Sequence, residues 1–167
     1  MIHLGSIAIR GDASVLEARR KLRAVAEFLA HDAVAATRLA TVTSEIVRLY
    51  VQQGNGSRLD VACDAQHNGT WVLLDFYDAE AIPDVDHLAG FYDRIERLPQ
   101  RKGDRCQRVV VWLDTALRPD SMGIAEIERI VQQKGRDELL AEIRSKNVEL
   151  QESLDNLRRT RSAKERM

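Results

Sequence analysis

The chain of 167 residues holds little that marks a specialised chemistry. There are two cysteines, Cys63 and Cys106, far apart and each inside a strand-like run. No CxxC pair and no Cys/His spacing is present, so no zinc site is expected, and both thiols read as buried and reduced. Histidine is as sparse: His3, His31, His67 and His87 are dispersed, and nothing in their spacing makes them converge. An excess of one charge is missing too. Lys and Arg number 25 against 26 Asp and Glu, a net of -1, so no overall field favours nucleic acid or a membrane surface. No apolar run approaches the roughly 18 residues of a membrane-spanning helix. The N-terminus has no basic segment followed by an apolar one, and the expected compartment is the cytoplasm. Internal repeats and low-complexity stretches are absent.

What is present is an apolar content of 44%, enough for a core, on a length that suits one domain plus an appendage. Residues 1–115 read as a compact α+β domain, 116–123 as a linker and 124–167 as one long helix. The helix is the clearer signal. Apolar residues recur at steps of three and four: Leu140, Ile143, Leu150, Leu154 and Leu157, with Asn147 in register. Leu140, Asn147 and Leu154 fall at heptad position a, and Ile143, Leu150 and Leu157 at d. A lone Asn at a is tolerated by a parallel two-stranded coiled coil, where it costs stability and fixes register. A homodimer through this seam is expected. Gly135 is a plausible kink, and with residues 115–123 the expected place for flexibility.

Within the domain, Ile2 to Ile9 reads as a strand. Ser14 and Glu17 have capping-box spacing at the head of a helix to about Ala30. A second helix covers about Ala33 to Gln53, with Leu39, Val42, Ile46 and Leu49 spaced for burial and Gly54 as its stop. Arg58 to Ala65 and Thr70 to Tyr77 read as strands joined by an Asn68-Gly69 turn. Val85 to Leu98 reads as a third helix, Pro99 to Asp104 as a polar loop, and Arg105 to Leu113 as the last, central strand. The order β-α-α-β-β-α-β suits a two-layer sandwich, a mixed or antiparallel sheet with helices on one face. Asp75 and Asp78 read either as a carboxylate pair or as loop-solvating groups. Trp71 and Trp112 read as packing residues.

The second helix, Ala36-Thr37-Arg38-Leu39-Ala40-Thr41-Val42-Thr43-Ser44-Glu45-Ile46-Val47-Arg48-Leu49, resembles the corresponding helix of GHKL-superfamily (HATPase-like, Bergerat-fold) ATPases of the anti-sigma serine-kinase type, which reads roughly T-R-I-x-T-A-x-S-E-L-A-R-N. Val15 to Arg20 resembles that family's first helix, and Ala81-Ile82-Pro83-Asp84 resembles the end of its D-x-G-x-G-I-P-D segment. The resemblance spans about residues 3–113. It implies that Glu45 stands at the general-base position; the residues alone also allow a solvated carboxylate there, and Arg48 a partner for Glu45 or Ser44. Three departures follow. The Asn that ligates Mg²⁺ is Leu49 here, which offers a hard cation no oxygen. Ala79 and Ala81 stand where glycines admit the nucleotide. Asp78 is one place out of register for the Asp that contacts adenine. The expectation is a vestigial pocket of Glu45, Arg48, Leu49, Asp78, Ala79 and Ala81, with no cofactor and no catalysis, a pseudo-ATPase. Residues 140–167 resemble the signalling helix that precedes SpoIIE-type serine phosphatase domains. Together the two resemblances imply a regulatory and dimerisation module of a partner-switching system, with a regulatory protein as partner. The alternative is an active serine/threonine kinase that binds ATP and Mg²⁺ in an altered pocket.

Overall fold

The computed structural model describes residues 1–101, 103–115, 120–133 and 136–165. The chain forms two compact units, Met1–Gln133 and Lys134–Met167. The first is an α+β domain: β1 (Ile2–Ile9), α1 (Asp12–Ala30), α2 (Ala33–Gln53), β2 (Ser57–Ala65), β3 (Gly69–Asp78), a 3-10 turn (Asp86–Phe91), β4 (Arg94–Arg101), β5 (Asp104–Asp114) and α3 (Ser121–Gln132). The second is α4 (Arg136–Glu165). The expected long helix is therefore divided. α3 belongs to the first unit, and the expected linker runs into its first turn. Gly135 and residues 116–119 lie outside the described residues.

Five strands form one sheet, ordered β1-β2-β3-β5-β4 and antiparallel at every pairing. Side chains alternate across it. Val61, Val72, Leu74, Phe76, Val109 and Val111 join the core with Leu22 and Val25 of α1 and Leu39, Val42 and Ile46 of α2. Helix ends fall where local chemistry puts them. His31 adopts φ 51 and ends α1, the Asp32 carboxylate accepts the Val34 N–H at 2.9 Å to start α2, and Gly54 at φ 73 stops it. The first helix starts earlier than its capping-box spacing implies. Ser14 sits at its third position, where its hydroxyl accepts the N–H groups of Arg10 and Gly11 at 3.0 and 3.4 Å. Glu17 is released for an ion pair with buried Lys21 at 2.7 Å.

Two other expectations are corrected. In the β2–β3 hairpin, the Gln66 N–H donates to the Gly69 carbonyl at 2.8 Å, so His67 and Asn68 are the central pair. Gly69 is needed for another reason: a Cβ there would overlap the Trp112 ring. The expected helix over 85–98 is a short 3-10 turn followed by β4. Asp93 makes the switch. Its N–H donates to the Val110 carbonyl at 2.9 Å and its carboxylate accepts the Trp112 N–H at 2.7 Å, which starts an edge strand. Pro99 lies at the register shift between Leu98 and Arg101 on that edge, where a missing N–H costs little.

Candidate functional site

Helix α2 carries three of the expected pocket residues. The Glu45 carboxylate is partly exposed and accepts from Arg48 Nη1 at 2.9 Å, one turn along the same helix. Leu49 packs against the core. Its neighbour Tyr50 is buried, stacked on Phe76 with ring centroids 5.2 Å apart, and its hydroxyl donates to Gln107 Oε1 at 3.1 Å. Burial, and after it the Asp78 charge, raise the Tyr50 phenol far above its ordinary pKa, so it stays a neutral donor. The motif's Arg38 braces the turn into β4: Nε donates to the Phe91 carbonyl at 3.1 Å and Nη2 to Asp93 at 3.4 Å.

Asp78 ends β3 on the helix side of the sheet and is 2% exposed. It accepts from the Ser57 hydroxyl at 2.6 Å, the backbone N–H groups of Glu80 and Ala81 at 2.8 and 3.1 Å, and the Asn55 amide at 3.4 Å. Burial pushes its pKa up. The hydrogen bonds from Ser57, Glu80, Ala81 and Asn55 outweigh it and hold the carboxyl below its ordinary value. Asp78 thus ties the start of β2, the end of α2 and the turn after β3 into one knot. Ala79 and Ala81 are exposed in that turn. Among the described residues no hydrogen bond or ion pair joins Glu45 to Asp78. The expected pocket residues are placed along α2 and at its far end, and their polar atoms are spent on one another or on the fold.

The residues of this set leave few free groups for the ATP and Mg²⁺ that the resemblance implies. Leu49 has no ligating atom, Asp78 has four donors already, and Tyr50 is buried against Phe76 and Gln107. Among the described residues no group of three His, Cys, Asp or Glu is placed to hold a metal ion. A shallow cleft of about 300 Å³ lies beside the 82–86 segment, lined also by Ile95, Glu96, Arg97 and Gln107. Its buried amide is satisfied: Gln107 Nε2 donates to the Pro83 carbonyl at 3.3 Å and Oε1 accepts from Tyr50. Gln107 was open to inference from sequence, since it shares the inward register of Val109, Val111 and Leu113.

The face of the sheet opposite α1 and α2 holds what the sequence reading missed. Asp75 points there, away from Asp78, and accepts both arms of Arg108 at 2.8 and 3.0 Å. That hydrogen bonding raises the Arg108 pKa. The pair also offsets the placement of Asp75 opposite Asp60, whose carboxylate takes Ser6 at 2.6 Å and Arg58 at 3.0 Å. Trp71 and Trp112 meet edge to face at 4.6 Å, Arg94 lies over Trp71, and Arg58 lies over Tyr77. Burial pushes the Cys106 thiol up to about 11 and Tyr77 up to about 12, so neither ionises near neutrality.

In α4, Leu140, Ile143, Leu150, Leu154 and Leu157 are all exposed, between 41% and 67%. Asn147 is exposed with them. No described helix is long and apolar enough to cross a membrane. In comparison with known proteins, no family model, no curated protein and no solved structure matches the chain.

Proposed function

We propose that this chain is a non-catalytic regulatory and dimerisation module with a GHKL-like fold, a pseudo-ATPase. In this reading the domain receives a regulatory protein or small ligand in the cytoplasm. The change passes through a homodimeric coiled coil to a downstream effector such as a serine phosphatase. The observation that carries the reading is the fate of Asp78. The aspartate beside the adenine-contact position is buried under four hydrogen-bond donors. The layer of α1 and α2 on one face of an antiparallel sheet is what a two-layer sandwich requires, and it supports the reading. The solvent-facing stripe of Leu140, Ile143, Asn147, Leu150, Leu154 and Leu157 supports a seam, because an apolar stripe at heptad spacing gains free energy by pairing.

The test is isothermal titration with ATP and Mg²⁺, with ADP in parallel. The expected outcome is no heat and no thermal shift at millimolar nucleotide. Micromolar binding, lost in Glu45→Ala, would overturn the reading in favour of an active serine/threonine kinase. Sedimentation of the chain should show a concentration-dependent dimer that disappears in Leu150→Lys.

A further inference from the structure

We propose that α3 is a releasable strap over the outer edge of β1, opening and closing on the folded domain as a unit of its own. The proposal deepens the regulatory reading, because α3 is the last element of the domain before α4 in the chain. β1 is an edge strand, and a bare edge offers unpaired backbone groups to any passing strand. Here α3 covers it. Leu4 is the extra residue of a bulge, with the pairing jumping from His3 to Gly5. Its side chain enters the core and its carbonyl accepts from Gln132 Nε2 at 3.0 Å. Gly5, at φ 154, lets the helix approach: a Cβ there would lie 3.0 Å from both Val131 Cγ1 and Gln132 Cγ.

The attachment is narrow. Ile127 and Val131 are fully buried, with Ile124 and Ile130 partly so, whereas α1 buries eight residues and α2 nine. α3 is also bounded by its own stops. Asp120 caps its start, accepting the Gly123 N–H at 2.8 Å, and Gln133 ends it at φ -59 and ψ 127, outside the helical region. The sheet and the α1–α2 layer share a core to which α3 adds one margin. Segments with few buried contacts and independent caps open below the global unfolding free energy. Release would uncover the Leu4–Gly5 backbone of β1 and the Ile124–Ile127–Val131 stripe together, and would part α3 from α1.

Native-state hydrogen exchange on the full chain tests this. The amides of Glu128 to Val131 should exchange at least about tenfold faster than those at the centres of β3 and β5, a gap of about 1.4 kcal/mol. Gly5→Ala should widen the gap at least about tenfold more while leaving β3 and β5 unchanged. If that variant fails to fold, Gln132→Ala, which loses one hydrogen bond, carries the same comparison. Exchange of α3 in step with β3 and β5, or a variant that moves all three alike or leaves α3 unchanged, overturns the proposal. Sedimentation reads the dimer separately, so a monomeric chain would sink the coiled-coil reading and leave this result intact.

Discussion

Asp78→Ala separates a structural knot from a nucleotide contact. The wild-type carboxylate serves four donors, two of them backbone N–H groups and one the buried Ser57 hydroxyl. Leaving a buried donor unsatisfied costs about 1–3 kcal/mol, more when the lost partner was charged. Ser57 can turn, and water reaches the exposed Glu80 and Ala81 turn, so a total of about 3 kcal/mol is expected rather than the full sum. For a chain of this size that is a fall in Tm of about 6–12 °C. Urea titration at neutral pH, with an unchanged m value, measures it. Asp78→Asn adds a pH arm. The folded pKa of Asp78 is depressed, so its contribution is complete above the unfolded value of about 3.9 and is lost as pH falls through the folded pKa. The Asn variant should lose less stability at neutral pH and should lack this acid-side loss. An Asp78→Ala protein within about 0.5 kcal/mol of wild type, or one whose main change is the loss of a nucleotide-induced thermal shift, refutes the argument.

Glu17→Ala should destabilise the domain by about 3–5 kcal/mol, because it strands the Lys21 ammonium, only 5% exposed, without its partner. Replacing both residues with Met should recover most of that loss, and denaturant titration of the single and double variants decides it. In the proposed coiled coil, Asn147→Leu should raise the stability of the helix pair while loosening its register or oligomer state. Unchanged sedimentation mass and unchanged cross-linking register would remove the role given to Asn147.

Where sequence reasoning succeeded, one local signal sufficed. The apolar spacing of Leu39, Val42 and Ile46, an Asp before α2 and a Gly after it define that helix without tertiary information. β4 misled because Val85, Leu88, Tyr92 and Ile95 are spaced three, four and three, which is helical spacing. All four do face the core, but from a 3-10 turn, a connector and an edge strand. What breaks the helix is Asp93, whose partners Val110 and Trp112 lie far along the chain. The break between α3 and α4 was legible in principle. Continuing the stripe of Ile124, Ile127 and Val131 by threes and fours lands on Lys134 and Glu138 rather than Leu140. The two stripes are out of phase, so one straight helix could not present both on a single side.

The candidate site was legible as a set of losses but not as a set of new uses. On the resemblance, Leu49 stands where a ligating Asn is expected, and that is visible on inspection. That Asp78 is consumed depends on Ser57 and Asn55, which reach it only after α2 ends and β2 turns back beside β3. The same holds for Tyr50, whose phenol needs Gln107 from β5. A pocket that had merely lost a metal ligand would leave polar groups facing an empty space at a cost in desolvation. Here Asp78 and Tyr50 have partners within the fold, so on the proposed GHKL-like reading Leu49→Asn would supply one ligand atom beside groups that are already engaged. On the proposed regulatory reading, a signal entering this domain acts where contacts are few and separable, and the margin between α3 and β1 has that character.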